Sequence, residues 1–390
     1  TIPLRSTWSC RCGCETRLVR PSRHIITSLR LSHFRSHHQV QIGLDGRPVV
    51  LFGANGAGKT NILEAVSLLS PGRGLRRALA EDLIRRPEAI GWKIAAQVST
   101  DAQVYEVDLQ AEPGHPRQTR IDGKQLPQTA LARLVRVLWL IPAMDRLWIE
   151  GAEGRRRFLD RATMSFTPDH AEITLAYEKA MRDRNRLLKD GVRDAHWYAA
   201  LESQMARFGA EISLNRRNAL EVLQDAQQST VADFPTGALS ISLPDGAVAP
   251  ENPDDLRTAL VESRPRDMAA GRTLVGPHRV DLEAMFMRKD VPAKHCSTGE
   301  QKALLISLIL ANARALHATT GAAPVLLLDE VAAHLDAQRR KALYDEITAL
   351  GAQAFLTGTD RNLFTDFGTR AAVYNVAEAE AASLVEEATL

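Results

Sequence analysis

The sequence predicts an α/β fold built from both ends of the chain, with a mainly helical arm inserted between them. Three observations carry that prediction. Val49-Val50-Leu51-Phe52 is a short apolar run that feeds into the glycine-rich stretch Gly53-Ala-Asn-Gly-Ala-Gly-Lys59-Thr60, after which Ile62, Leu63, Val66 and Leu69 have helical spacing. Near the other end, Pro324-Val-Leu-Leu-Leu is a second apolar run, and it stops at Asp329-Glu330. Between them, Glu153 to Arg266 reads as helical with an interruption near Phe234 to Pro250. The head is therefore assigned to residues 25–150 and 272–390, and the arm to 151–271.

The elements follow in order. Ile25 to Leu31 alternates as a strand, Val40 to Ile42 reads as another, and Asp45-Gly46 is a turn signal before the run at Val49. Lys93 to Ser99, Val104 to Gln110 and Gln118 to Ile121 are antiparallel strand candidates, with a turn at Asp122-Gly123. Val135 to Ile141 is a buried strand candidate ended by Pro142. After the arm come a strand over Val280 to Met287, a long helix over Glu300 to His317 and the strand at Pro324 to Leu328. No heptad pattern or internal repeat is evident.

Composition bounds the function. The chain has 390 residues, 45% hydrophobic and 25% charged, with a formal charge of +2, which is ordinary globular composition. Its apolar runs fall short of the ~20 residues a bilayer crossing needs. Residues 1–24 carry five arginines (Arg5, Arg11, Arg17, Arg20, Arg23) against Glu15, so the rest is slightly acidic and any nucleic-acid contact needs a local basic patch. Three readings stand for this segment: a disordered or mis-started leader, a targeting peptide, and a metal site using Cys10, Cys12, Cys14 and His24, whose spacing is not that of the usual zinc pair. The fourth cysteine, Cys296, lies far away, so no disulfide framework is indicated and a reducing cytoplasm fits.

Three motifs carry chemistry. Gly53-x-x-x-x-Gly58-Lys59-Thr60 has the spacing of a phosphate loop, in which backbone amides converge on phosphate oxygens, a lysine adds a point charge and a threonine offers a hydroxyl to Mg²⁺. The nucleotide ligands expected from this stretch are Gly53, Ala54, Asn55, Gly56, Ala57, Gly58, Lys59, Thr60 and Asn61. An apolar strand ending in Asp329-Glu330 supplies two acids with separate tasks, Asp329 at the metal and Glu330 at the attacking water, with Lys59 the other catalytic candidate. Ser297-Thr-Gly299-Glu-Gln opens a helix, where the residues form a helix cap and also present amides to an anion.

The order of phosphate loop, Ser-x-Gly-Glu-Gln, Asp-Glu strand and His334-Leu335-Asp336 resembles the ABC ATPase superfamily, and within it the SMC-like repair ATPases. Phe34-Arg35-Ser36-His37 is similar to the segment that precedes the loop in those proteins. Leu140 to Arg161 and Leu274-Val-Gly276-Pro277-His278-Arg279-Val-Asp281-Leu narrow the resemblance to the RecF family of bacterial recombination mediators, from about Ile25 to about residue 375. The resemblance implies an ABC-type ATPase head and an ATP-dependent homodimer. It implies binding to gapped, duplex and single-stranded DNA, and cooperation with RecO and RecR to load RecA, with slow, DNA-stimulated hydrolysis of ATP in the presence of Mg²⁺. Carried over by position, Ser297 and Gly299 contact the nucleotide of the other subunit, Asp336 acts across the dimer interface, and Arg35 contacts a phosphate. Thr298 departs from the superfamily pattern, where a glycine stands, and Val280 departs from the acid common after His-Arg. Thr357-Gly-Thr359-Asp360 occupies the region of the switch histidine, with Thr359 as its stand-in.

For DNA, one face of a helix over Ile173 to Lys189 would align Lys179 with Arg182, Arg186 and Lys189, opposite Ile173, Ala180 and Leu188. The alternative is a solvated face laced with pairs such as Glu178 to Arg182. For the whole chain, the alternative is the ATPase subunit of an ABC transporter, which shares the head motifs but normally separates them by a much shorter segment.

Overall fold

The computed structural model describes residues 24–228, 234–243, 250–379 and 382–390. The cysteines Cys10, Cys12 and Cys14 lie outside them. The described residues open on a hairpin of β1 (Ile25–Phe34) and β2 (His37–Gly43), closed by a two-residue turn at Arg35-Ser36 with Phe34 opposite His37. β3 (Val49–Phe52) leads through the glycine loop into α1 (Lys59–Ser67). β4 (Trp92–Ser99), β5 (Val104–Ala111), β6 (Gln118–Ile121) and the short β7 (Lys124–Gln125) follow, then β8 (Val137–Leu140). The middle of the chain forms α2 (Ala152–Phe166), α3 (His170–Lys189), α4 (Ala195–Gln228), β9 (Gly237–Ser242) and α5 (Pro253–Ala270). β10 (Asp281–Phe286), β11 (Val291–Pro292), α6 (Thr298–Thr320), β12 (Val325–Leu328), α7 (Ala337–Ala349), β13 (Ala354–Gly358), β14 (Ala372–Ala379) and β15 (Ala382–Ala388) complete it.

Two six-stranded sheets organise these elements. One is antiparallel, in the order β2-β1-β4-β5-β6-β7, and β4 alternates buried and exposed positions because only one face is covered. The other runs β15-β14-β3-β13-β12-β8, parallel except for its edge strand β15. Every residue of β12 and β13 is buried, as expected of parallel strands covered on both faces. Val49, Leu51, Val325, Leu327 and Phe355 face a core shared with α1 and the antiparallel sheet, while Val50, Leu326, Leu328, Ala354 and Leu356 face α6 and α7. Successive residues of one strand thus serve two cores.

The helical region has its own apolar centre, with Ile173, Tyr177 and Ala180 of α3 against Met205 and Ile212 of α4 and Leu256 and Leu260 of α5. It is not detached from the head. Leu159 and Ala162 of α2, and Leu220 and Leu223 of α4, belong to the core that contains α6 and β12. The interruption read near Phe234 contains β9, which pairs with β10 to make a third, three-stranded sheet with β11. Gly-Ala-Leu-Ser-Ile-Ser offers few apolar side chains, so pairing with β10 rather than intrinsic pattern defines it. α6 is long and apolar enough to cross a bilayer, but here its surface is covered by α2, α4 and β8.

Candidate functional site

β3 lies between β13 and β14, with Val50 beside Leu356 on one side and Val373 on the other, so its end is fixed from both sides. The loop leaves that end through Gly53, Gly56 and Gly58, whose φ values are +148°, +85° and +103°. A Cβ at Gly53 would meet the Val376 carbonyl oxygen at 2.0 Å, and one at Gly58 would meet Ser383 Oγ at 2.4 Å. Glycine is therefore required on steric as well as conformational grounds. Gly58 caps α1 without a side-chain bond, and the Asn61 amide bonds back to the Gly58 carbonyl at 3.0 Å, so the Lys59 and Thr60 amides are the helical donors left for an anion. Lys59 folds back over the loop, its Nζ donating to the carbonyls of Gly53 and Ala54 at 2.7 Å each. Burial pulls its pKa down, and the Glu330 and Asp329 carboxylates oppose the shift.

The two acids reach the loop from β12. Thr60 Oγ1 donates to Asp329 Oδ1 at 2.9 Å, and Thr357 Oγ1 donates to the same oxygen at 2.7 Å. The Glu330 amide donates to Thr357 Oγ1 at 2.8 Å. Glu330 has φ +53°, a left-handed conformation costing a side-chain-bearing residue about 1 kcal/mol, and the Thr357 hydroxyl holds it there. A hydroxyl and a carboxylate in direct contact beside a phosphate loop are hard oxygen donors of the kind Mg²⁺ takes, with waters and phosphate completing its shell. Thr357 was not singled out in the sequence. Thr359, the residue expected in that region, is exposed, and among the described residues no hydrogen bond joins its side chain to the site.

The β1–β2 turn supports the loop from the other side. Ser36 Oγ accepts from Asn61 Nδ2 at 2.7 Å and from Ser383 Oγ at 2.7 Å, and His37 Nε2 lies 3.1 Å from the Gly58 carbonyl. Burial lowers the His37 pKa, so the neutral ring donates to that carbonyl. Arg35, expected at a phosphate, is placed differently. Its guanidinium makes a two-pronged contact with Glu64 of α1, at 2.9 and 2.8 Å, and donates to the Asp82 carbonyl at 2.7 Å. Glu64 is fully buried and also pairs with Arg76, so Arg35 is committed to holding α1.

The remaining expected ligands are not brought to this loop. Ser297 caps α6 in a complete capping box with Glu300, and Glu300 pairs with Lys289, which with Ser297 draws the carboxyl pKa down to about 2. The space beside Gly299 is open. Asp336 caps α7 by accepting from the Arg339 amide at 2.8 Å. Among the described residues, no hydrogen bond or ion pair joins Ser297, Gly299 or Asp336 to residues 53–61. Arg182, Arg186 and Lys189 are exposed on α3, where Arg182 approaches Glu178 at 3.6 Å and Arg186 approaches Asp190 at 3.9 Å.

The two long stretches that carried the family resemblance bond to each other. Arg155 of α2 grips Asp281 at 2.7 and 2.8 Å, and Arg156 donates to the Val280 carbonyl. Asp160 accepts from Arg216 and contacts His170, and Arg216 also donates to the Pro277 carbonyl. His278 Nε2 faces the Thr273 carbonyl at 3.1 Å and must donate to it, so Nδ1 accepts from the Tyr177 hydroxyl at 2.8 Å. Burial holds this imidazole neutral, with its pKa lowered to about 4. These contacts join α2, α3 and α4 to the start of β10.

Comparisons with known proteins agree with the geometry. Residues 25–382 match the model of the RecF/RecN/SMC N terminal domain. The chain is 47% identical over 369 residues to the DNA replication and repair protein RecF of Rhizobium etli, covering 92% of this chain and 98% of that one. It is 45% identical over 370 residues to the protein of the same name from Brucella suis, covering 92% and 96%. A solved structure of the recombination mediator protein RecF with ATP aligns over 94% of this chain with a TM-score of 0.79 at 23% identity. An Smc head domain from Pyrococcus furiosus aligns over the same share with a TM-score of 0.55 at 18% identity. With the phosphate loop and the Asp329-Glu330 pair assembled at the ends of the parallel strands β3 and β12 and near-half identity along almost the whole chain, this protein belongs to the RecF family of SMC-like ABC-type ATPases.

Proposed function

We propose that this protein binds ATP and Mg²⁺ at residues 53–61, dimerises when ATP is bound, and in that state binds DNA in recombinational repair and replication. The observation that carries the reading is the bonded set Thr60, Asp329, Thr357 and Glu330 at the mouth of a glycine loop. Asp329 and Thr60 would hold Mg²⁺, Lys59 the β and γ phosphates, and Glu330 the attacking water. Within one chain Ser297 and Asp336 cap helices away from the loop and Gly299 faces open space, and this supports a site completed by a second copy. ATP then drives dimerisation because the dimer supplies contacts the monomer lacks. Hydrolysis is slow, stimulated by DNA, and reopens the dimer.

The names of the relatives support a role in DNA repair and replication, and the place of the solved relatives in the RecFOR pathway supports RecO and RecR as partners. They favour this over a transporter subunit. DNA at single-strand gaps and their flanking duplex is the proposed ligand, RecA is served indirectly, and the place of work is the cytoplasm. The exposed Arg182, Arg186 and Lys189 are the proposed phosphate contacts on the arm. Mixing a Lys59→Met chain with a Ser297→Arg chain tests the composite site. Either variant alone should neither dimerise with ATP nor hydrolyse it, and the mixture should recover one working site. Equal loss in the mixture would show a site complete within one chain.

A further inference from the structure

On the side of the β1–β2 hairpin away from the phosphate loop, three metal-binding side chains converge. His33 and His38 occupy facing positions of the hairpin, because Ser32 pairs with Gln39 and Phe34 with His37. Their rings lie edge to face, with centroids 4.6 Å apart. Glu88 comes from the segment after Ile84, which the hairpin itself holds through a bridge from Phe34 to Ile84 and a hydrogen bond from the Arg85 amide to the His33 carbonyl at 3.0 Å. One ligating atom from each of His33, His38 and Glu88 lies within 4.8 Å of the other two.

Four further observations separate this cluster from a chance surface grouping. The His33 Nδ1 is buried and has no hydrogen-bond partner, an arrangement that costs free energy unless something else occupies the nitrogen. Among the described residues, neither imidazole donates or accepts a side-chain hydrogen bond, so both rings have lone pairs to offer. His33 also has φ +49°, a conformation disfavoured for a side-chain-bearing residue and concentrated where function demands it. Arg85 Nη1 holds Glu88 Oε2 at 2.9 Å, the kind of outer contact that orients a ligating carboxylate.

We propose that His33, His38 and Glu88 bind a divalent metal ion of the zinc class, with a water or a second carboxylate oxygen completing a four-coordinate shell. Two imidazoles and one carboxylate are borderline donors suited to Zn²⁺ rather than to Mg²⁺, which prefers an all-oxygen shell. Tetrahedral bonds of about 2.0–2.1 Å put ligand atoms ~3.3 Å apart, so a modest inward closure of side chains completes the site. The consequence lies at the turn that joins the two strands. Arg35 and Ser36 of the turn and His37, the first residue of β2, bond to Glu64, Asn61 and Gly58. A metal cross-linking the strands just below that turn would stiffen the part of the fold that seats the phosphate loop.

The experiment uses the full chain without nucleotide, with Cys10, Cys12, Cys14 and Cys296 replaced by serine so that thiols do not compete. Zn²⁺ is titrated against a chromophoric chelator, and Co²⁺ is followed by visible absorption. One equivalent of metal per chain is expected in this parent. His38→Ala and Glu88→Gln, both at exposed positions, should each weaken binding by at least about tenfold and abolish the Co²⁺ band. Zn²⁺ should raise the thermal midpoint of the parent and not of the variants, each compared with its own metal-free midpoint. Absence of stoichiometric binding in the parent, or unchanged affinity in either variant, overturns the three-ligand site.

Discussion

Asp329 is the residue on which the candidate site turns, because one of its oxygens accepts from both Thr60 and Thr357. Thr357→Val should leave that oxygen one donor short and strip the Glu330 amide of its acceptor, costing about 1–3 kcal/mol in urea unfolding. It should lower ATP turnover more than ATP binding, because Glu330 loses its anchor while residues 53–61 keep theirs. Thr357→Ser should restore both. Thr357-Gly-Thr359 offers two hydroxyls in sequence, and only the parallel register that sets Leu328 beside Leu356 selects the first. That register is a tertiary fact, and so the residue was not legible. The loop was, since its glycines, lysine and threonine are adjacent in sequence and their spacing alone encodes the geometry. His278 gives a second residue-scale expectation. Its folded pKa of about 4 lies below the ordinary 6.5, so the unfolded chain takes up a proton first as pH falls. Its stabilising contribution is complete above pH 6.5 and declines between there and 4, by an amount on the order of 3 kcal/mol. Burial shifts His37 in the same direction. Urea unfolding at pH 7 and pH 5 should show the loss, and His278→Gln should reduce it.

The β1–β2 hairpin shows what an element contributes beyond its strands. Its turn delivers Arg35 to a carboxylate that is wholly buried in α1. Arg35→Ala would leave Glu64 with Arg76 alone as its ion-pair partner. The variant should lose about 2–4 kcal/mol in equilibrium unfolding and weaken nucleotide binding through the displaced helix. A variant as stable as the parent would remove this support role. Strand identities here were legible from alternation, since β1, β2 and β4 each keep one covered face. The purpose of Arg35 was not, because nothing in Phe-Arg-Ser-His distinguishes a phosphate partner from a carboxylate partner. β9 marks the opposite limit, a strand with little pattern of its own that exists through its ladder with β10.

At the scale of the molecule, the helical region is knit by a charged centre. Arg184 is fully buried and pairs with Glu202 at 3.1 Å and Asp267 at 2.7 Å, with further bonds to Thr273 and the Leu260 carbonyl. Among the described residues, Arg184→Met should leave buried Asp267 with no ion-pair partner and Glu202 with Arg264, cost about 3–5 kcal/mol, and appear as a lowered midpoint in chemical denaturation. The α/β organisation and its helical insertion were legible because apolar runs at the two ends of the chain lacked partners nearby. How closely the insertion fuses with the head was not, since Leu220 and Leu223 look like any other helical leucines until α6 lies against them.

That convergence of chain ends has a consequence for synthesis. β3, which launches the phosphate loop, has no neighbour in its sheet until β13 and β14 are made, and Gln353 clasps both backbone groups of Ile26 at 2.8 Å. At roughly 5–20 residues per second, a ribosome needs tens of seconds to supply those partners after β3 emerges. For that interval the apolar strand is an unprotected edge. The nascent protein therefore passes through a stage in which its helical middle has been synthesised while its nucleotide pocket is unformed, and a chaperone that shields short apolar strands would find its target there.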